Sequence, residues 1–110
     1  MPTGEVKHPT FNSNGYPTDE TLQAIREWPA NDLPALFDFI GEAWQYQDYW
    51  HHETATGEYH FSTGGWSGNE DLIGALQGNV VVWALCWYSS RRGGHNVFVL
   101  PVKRAEEAAR

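Results

Sequence analysis

The sequence predicts an α+β fold in which a four-stranded, mainly antiparallel sheet packs in two layers against about three helices. The first observation is size: the 110 residues, 41% of them hydrophobic, supply one core and leave no room for a second. The second is periodicity, because apolar residues recur at helical spacing up to position 44 and again at 69–77, whereas other stretches alternate or are β-branched. Turn residues separate these stretches, so the expected order is α-α-β-β-α-β-β.

The chain divides into an irregular N-terminal arm over residues 1–17, a single α+β domain over 18–102 and a C-terminal tail over 103–110. The arm is rich in proline, glycine and asparagine, which oppose regular structure. A first helix is expected over about 19–28, with Thr18 as its N-cap and Pro29 at its end. A second helix is expected over about 32–44, because Pro34 falls in its first turn, where proline is tolerated.

A β-hairpin is expected after these two helices. Residues 46–53 alternate in polarity and predict a strand, and residues 58–63 predict the returning strand. The intervening Ala55-Thr56-Gly57 is typical of a three-residue loop with Gly57 in the left-handed conformation. This loop length would place His52 directly opposite His60. A third helix should follow over about 69–77.

The last part of the domain is predicted to form two more strands. In residues 80–88 both the even- and the odd-numbered positions are apolar, and β-branched and aromatic side chains are frequent. This pattern indicates a central strand buried on both faces. Residues 89–94 form a turn, and residues 95–102 return as a strand. Pro101 places the end of that strand near an edge of the sheet.

Charge and cysteine content exclude several classes of protein. The chain has 7 Lys and Arg against 14 Asp and Glu, so it lacks the clustered cations of a non-specific nucleic-acid binder. Residues 19–71 carry eleven acids and one base, whereas residues 72–105 carry four bases and no acid. The single Cys86 excludes an intramolecular disulfide framework and a cysteine-cluster zinc module. A longest apolar run of nine residues predicts no membrane span, and the absence of a secretory signal predicts a cytoplasmic location.

Two polar segments form the candidate ligand site. A glycine-rich loop ahead of a helix exposes backbone N–H groups to an anion, arginines on the facing turn can clamp a phosphate, and Trp66 can stack on a base. The alternative is that the glycines make tight turns and the arginines are merely solvated. The spacing matches neither a P-loop nor a dinucleotide fingerprint. The predicted ligand-binding residues are Gly64, Gly65, Trp66, Ser67, Gly68, Asn69, Arg91, Arg92 and His95.

The stretches GGWSGNE at 64–70 and SSRRGGH at 89–95 resemble segments of small proteins encoded by phages and prophages of bacteria. The resemblance covers about residues 59–98. It implies a phage origin, and therefore the cytoplasm of a host cell, but it implies no activity.

Three functions are compatible with the sequence. The favoured one is a non-catalytic phage accessory protein that binds a small anionic, nucleotide-like ligand, with no cofactor and no metal. The second is an acidic interaction protein that binds or inhibits a host protein. The third is a metal-dependent hydrolase that would use His51, His52, His60 and Glu53. A serine hydrolase at Ser67 is disfavoured, because the G-x-S-x-G pattern is incomplete and a helix cap explains that serine. The oligomeric state is left open.

Overall fold

The computed structural model describes residues 8–92 and 94–100, and it confirms the α+β class. The four strands form one antiparallel sheet in the order β1-β2-β4-β3. The expectations for residues 1–7, 101–102 and the tail 103–110 lie outside the described residues. The elements are α1 (Asp19–Arg26), α2 (Leu33–Ala43), a 3-10 turn (Gln47–Tyr49), β1 (Trp50–Glu53), β2 (Glu58–Ser62), α3 (Ser67–Gly78), α4 (Val80–Cys86), β3 (Trp87–Arg91) and β4 (His95–Val99).

The first two helices form where the sequence predicts them. The Thr18 hydroxyl accepts a hydrogen bond from the Thr21 N–H at 3.3 Å, so Thr18 caps α1 as expected. The α2 helix starts directly after Asp32 and carries Pro34 in its first turn. Its apolar side chains lie buried, because their spacing places them on the side that faces the sheet.

The helices cover one face of the sheet. Alternate strand residues point to opposite faces, and on the covered face Tyr59, Phe61 and Phe98 are buried in the core together with side chains of all four helices. Phe37 of α2 stacks on Tyr59 with ring centroids 4.9 Å apart. The other face of β2 carries Glu58, His60 and Ser62, which are only half-buried.

The hairpin between β1 and β2 differs from the prediction by one residue. The loop has four residues rather than three, because the Gly57 N–H donates to the Glu53 carbonyl oxygen at 2.8 Å and pairing begins at Glu53 and Glu58. Gly57 does take the predicted left-handed conformation. As a result His60 faces His51, and not His52 as expected. A one-residue slip moves every side chain of a strand to the other face.

The strand predicted over 46–53 is also shorter, because its first half closes α2. The Gln47 side-chain amide donates to the carbonyl oxygens of Gly41 and Trp44, at 3.0 and 2.7 Å. Gly41 lies in the last turn of α2 and Trp44 is its C-cap residue, so these two bonds hold the chain against the end of the helix. Residues 47–49 therefore form a 3-10 turn, and only residues 50–53 join the sheet.

The predicted central strand over 80–88 is wrong. Residues 80–86 form α4, and β3 follows from Trp87 at an edge of the sheet. The Asn79 side chain accepts from the Val82 N–H and donates to the carbonyls of Ile25 and Trp28, so it caps α4 and fixes it to the end of α1. Tertiary hydrogen bonds thus override the strand propensity of the valines. Val82 and Cys86, four residues apart, are buried, whereas Val80 and Val81 are exposed.

Candidate functional site

The structure brings the two predicted polar segments together at one end of the sheet. Ser62, the last residue of β2, pairs with His95, the first residue of β4. One residue further on, the Thr63 N–H donates to the Gly94 carbonyl oxygen at 3.1 Å. Because these strands are hydrogen-bonded neighbours, the start of the glycine-rich loop lies against the turn that carries the arginines.

Three residues predicted to bind ligand are committed to packing. The Trp66 ring lies 4.9 Å from the Tyr16 ring and covers Gly68, where a Cβ would overlap it. Asn69 is fully buried. Its amide oxygen accepts from the Gln45 N–H, and its amide nitrogen donates to the carbonyls of Gln45 and Thr63. Every polar atom of Asn69 therefore serves the fold.

The rest of the glycine-rich loop is a tight turn with an exposed tip. Gly64 and Gly65 both have positive φ, and the Trp66 N–H donates to the Thr63 carbonyl oxygen to close the turn. Glycine is favoured at both positions because it takes this conformation without strain. Ser67 does not cap α3, which has Trp66 as its N-cap residue. The Ser67 hydroxyl instead lies 2.9 Å from the Tyr16 hydroxyl.

The two arginines are exposed at the same end of the sheet as the glycine-rich turn, but on the other side of β4. Arg91 pairs with His95 across β3 and β4, so its side chain belongs to the open face of the sheet. Arg92 follows in the turn. Ser62, His95 and Arg91 therefore form one row across three neighbouring strands.

Two further histidines, His60 and His51, lie next to this row and form a cluster with His95. The His95 Nε2 is 3.1 Å from the His60 Nδ1, and the His60 Nε2 is 2.9 Å from a Glu58 carboxylate oxygen. The His95 Nδ1 is 2.6 Å from the Ser62 Oγ. His51 stacks face to face on His60, with ring centroids 4.6 Å apart. From the sequence, His95 belonged to the predicted ligand site, whereas His51 and His60 belonged to the alternative metal site. Only the strand register shows that the three histidines form one cluster.

An open cleft of about 380 Å³ lies over the cluster. Tyr49 forms part of its wall and packs against Gly64, where a Cβ would overlap the Tyr49 ring. The cleft therefore adjoins the glycine-rich turn as well as the histidines. Its lining consists of Asp48, Tyr49, His51, His60, Ser62 and His95.

The surroundings of His95 favour its neutral form. Burial lowers the pKa of His95 below its usual 6.5, and the neighbouring His60, Arg91 and His51 lower it further. Desolvation and nearby positive charge both disfavour the imidazolium. His95 is therefore neutral at pH 7 and can accept a proton from a ligand or from a hydroxyl group.

The cluster is not arranged as a metal site. Within residues 8–92 and 94–100, no three His, Cys, Asp or Glu side chains are placed to hold a metal ion. The facing nitrogens of His60 and His95 are bonded to each other, and the stacked His51 ring is parallel to that of His60, so their lone pairs do not converge on one point. The observed arrangement therefore gives no support to the metal-dependent hydrolase considered above.

The acidic residues of the first half are spread over both layers. In the range 19–71 all of them are exposed except Glu58, and they lie on α1, α2 and α3 as well as on β1 and the loops. No helix of the described residues is long and apolar enough to cross a membrane. Comparisons with protein-family models, curated proteins and solved structures find no match.

Sequence reasoning missed Ser62, Tyr49 and Asp48 as site residues. Ser62 was part of a predicted strand and had no motif of its own. A signal was nonetheless present, because Glu58, His60 and Ser62 alternate along β2 and must share one face. The partner of that face could not be known without the pairing of β2 with β4.

Proposed function

We propose that the protein binds a small anionic, nucleotide-like ligand in the cleft over the histidine cluster, with Arg91 on the strand next to His95. The observation that carries the proposal is the row of Ser62, His95 and Arg91 across three strands. It combines a hydroxyl donor, an imidazole and a guanidinium at an open cleft. A phosphate there would gain charge-assisted hydrogen bonds worth roughly 1.5–3 kcal/mol each.

The site differs in detail from the one predicted from sequence. Trp66 packs on Tyr16, so the exposed Tyr49 and His51 rings that line the cleft are better placed to stack on a base. The glycine-rich turn contributes its exposed tip at Gly64 and Gly65. Arg91 and Arg92 supply the positive charge next to the cleft, and Asp48 is the one carboxylate in the cleft lining of the described residues.

The proposal includes the origin and setting implied by the sequence. The resemblance of GGWSGNE and SSRRGGH to phage-encoded proteins supports an accessory protein that acts in the cytoplasm of a host cell.

Calorimetry on the full chain tests the binding function. Titration with inorganic phosphate and with mono-, di- and cyclic nucleotides is expected to give saturable binding. The double variant R91A/R92A should bind at least about 10-fold more weakly, since it loses at least one charged hydrogen bond. The control R26A changes an exposed arginine on α1, in the helix layer, and should bind as the wild type does. No heat of binding with any of these ligands, or equal affinity in the double variant, would refute the proposal.

A further inference from the structure

The hydroxyl of Ser62 lies at the end of a continuous chain of hydrogen bonds. Ser62 Oγ contacts His95 Nδ1 at 2.6 Å, His95 Nε2 contacts His60 Nδ1 at 3.1 Å, and His60 Nε2 contacts Glu58 at 2.9 Å. All four side chains are half-buried and share the open face of the sheet. Three of them line or adjoin the same cleft, in which Ser62 and His95 are accessible to a ligand.

Only one arrangement of protons satisfies this chain when both imidazoles are neutral. A carboxylate accepts only, so His60 must donate from Nε2 and accept at Nδ1. His95 then donates from Nε2 and accepts at Nδ1, which leaves the Ser62 O–H to donate to His95. Every proton therefore points from the serine toward Glu58. A proton that leaves Ser62 can be taken up by His95, and the positive charge can be shared toward the carboxylate.

We infer that Ser62 is a nucleophile for acyl transfer and that the cleft hydrolyses small esters. This activity goes beyond the proposed binding function. His95 is the general base that contacts the reacting hydroxyl, and His60 and Glu58 are positioning residues that fix its tautomer. The arrangement repeats the logic of a serine, a base and an orienting group, which is recognised by geometry rather than by sequence position.

The reaction proceeds in two balanced steps. Ser62 Oγ forms a bond to the ester carbonyl carbon while its proton passes to His95 Nδ1. The ester C–O bond then breaks, and the leaving alkoxide takes that proton to depart as an alcohol. In the second step His95 removes a proton from water, the resulting hydroxide attacks the acyl-Ser62 ester, and the carboxylic acid leaves as the proton returns to Ser62 Oγ. One water is consumed for each ester.

The other serines near the site lack such a base. Ser67, the serine of the incomplete G-x-S-x-G pattern, contacts the Tyr16 hydroxyl. Ser89 on β3 pairs with Val97, two residues along β4 from His95. Ser90 donates to the Asn96 amide oxygen and accepts from the Trp87 indole N–H. Ser62 is therefore the one serine of this sheet end whose hydroxyl contacts an imidazole in the described residues.

Labelling with a neutral fluorophosphonate tests the nucleophile directly on the full chain. The Ser62 Oγ–P bond forms, the P–F bond breaks and fluoride leaves, while the serine proton passes through His95 to solvent. Intact mass spectrometry is expected to show one adduct per chain, and peptide mapping should place it on Ser62. S62A should remain unlabelled with an unchanged circular dichroism spectrum, and the matched control S89A should label at the wild-type rate.

The role of the base is tested by rate. H95Q keeps a polar side chain of similar size and should label about 10²–10⁴-fold more slowly, the range attributed to general-base assistance. Absence of an adduct on Ser62, or an equal labelling rate in H95Q, would overturn the inference. The fluorophosphonate probe is neutral, so its reaction with Ser62 does not depend on the binding of an anion, and the control R26A, at an exposed arginine on α1, should label at the wild-type rate. Failure of labelling and failure of anion binding are therefore separate results.

The pH profile distinguishes a positioning role from a merely structural one. His60, Arg91 and His51 surround His95 and favour its neutral form, whereas Asp48 lines the same cleft and Glu58 contacts His60. The labelling rate should rise with pH and reach its plateau near neutrality, as His95 loses its proton. E58Q removes the negative charge at the end of the chain and should move the midpoint to lower pH. An unchanged midpoint in E58Q would remove Glu58 from the mechanism.

Discussion

The two faces of β2 show how five consecutive residues divide between stability and chemistry. Tyr59 and Phe61 point to the helices and are buried against Phe37, whereas Glu58, His60 and Ser62 lie on the open face, where His60 and Ser62 line the cleft. The difference arises because successive side chains of a strand point to opposite faces, and the helices cover only one face of this sheet. Changes on one face should therefore lower the free energy of unfolding, and changes on the other should alter binding and reactivity with little effect on the fold.

The largest expected effect is the contrast between neighbouring residues 61 and 62. Phe61 is fully buried and contacts the rings of Trp44, Trp50 and Phe98. Phe61→Ala should lower the free energy of unfolding by about 3–5 kcal/mol through lost burial and a cavity. Ser62→Ala should lower it by about 1 kcal/mol or less, the net value of one hydrogen bond. Urea denaturation measures both, and similar losses in the two variants would contradict the division between faces.

Replacement of Gly41 tests how closely α2 packs against the side chain of Trp50 on β1. Gly41 lies inside α2, where alanine ordinarily stabilises a helix by about 1 kcal/mol. A Cβ there would overlap the Trp50 ring, which is held by stacking on Phe61 and by a 3.0 Å hydrogen bond to Gln47.

Overpacking typically costs about 1–3 kcal/mol, so Gly41→Ala should lower the free energy of unfolding by about 1 kcal/mol. Gly74→Ala is the control, because nothing lies within 4 Å of a Cβ at that position. It should leave stability unchanged or raise it. A melting temperature that rises in both variants would show that Trp50 can move away.

The smallest expected effect is a pH dependence from the open face. Folding lowers the pKa of His95 below 6.5, so the unfolded chain binds a proton more readily than the folded chain. The contribution of His95 to the free energy of unfolding is therefore fully present above about pH 6.5. It falls as the pH drops from there toward the lowered pKa of His95 in the folded chain. The melting temperature of the wild type should fall more steeply between pH 7 and pH 5 than that of H95Q. If the melting temperatures of the wild type and H95Q fell in parallel, the pKa of His95 would be the same in the folded and the unfolded chain, which contradicts this prediction.

Local signals in the sequence were sufficient for much of the fold. The N-cap at Thr18, the proline in the first turn of α2 and the apolar spacing of both helices each depend on neighbouring residues only, and each is confirmed. The left-handed Gly57 and the start of a strand at His95 also follow from short-range pattern. These features were predictable because their physical causes lie within a few residues of one another.

Tertiary structure decided the features that depend on distant contacts. Residues 80–86 are apolar enough for a buried strand, but the hydrogen bonds of Asn79 to α1 make them a helix. The β1–β2 loop has four residues, one more than predicted, and this length decided that His51, rather than His52, faces His60. Ser62 and His95 are 33 positions apart, and the sequence contains no information on their contact until the strands pair. Composition and periodicity thus determine the layers and the alternation of each strand, whereas register and capping between remote segments determine which side chains meet.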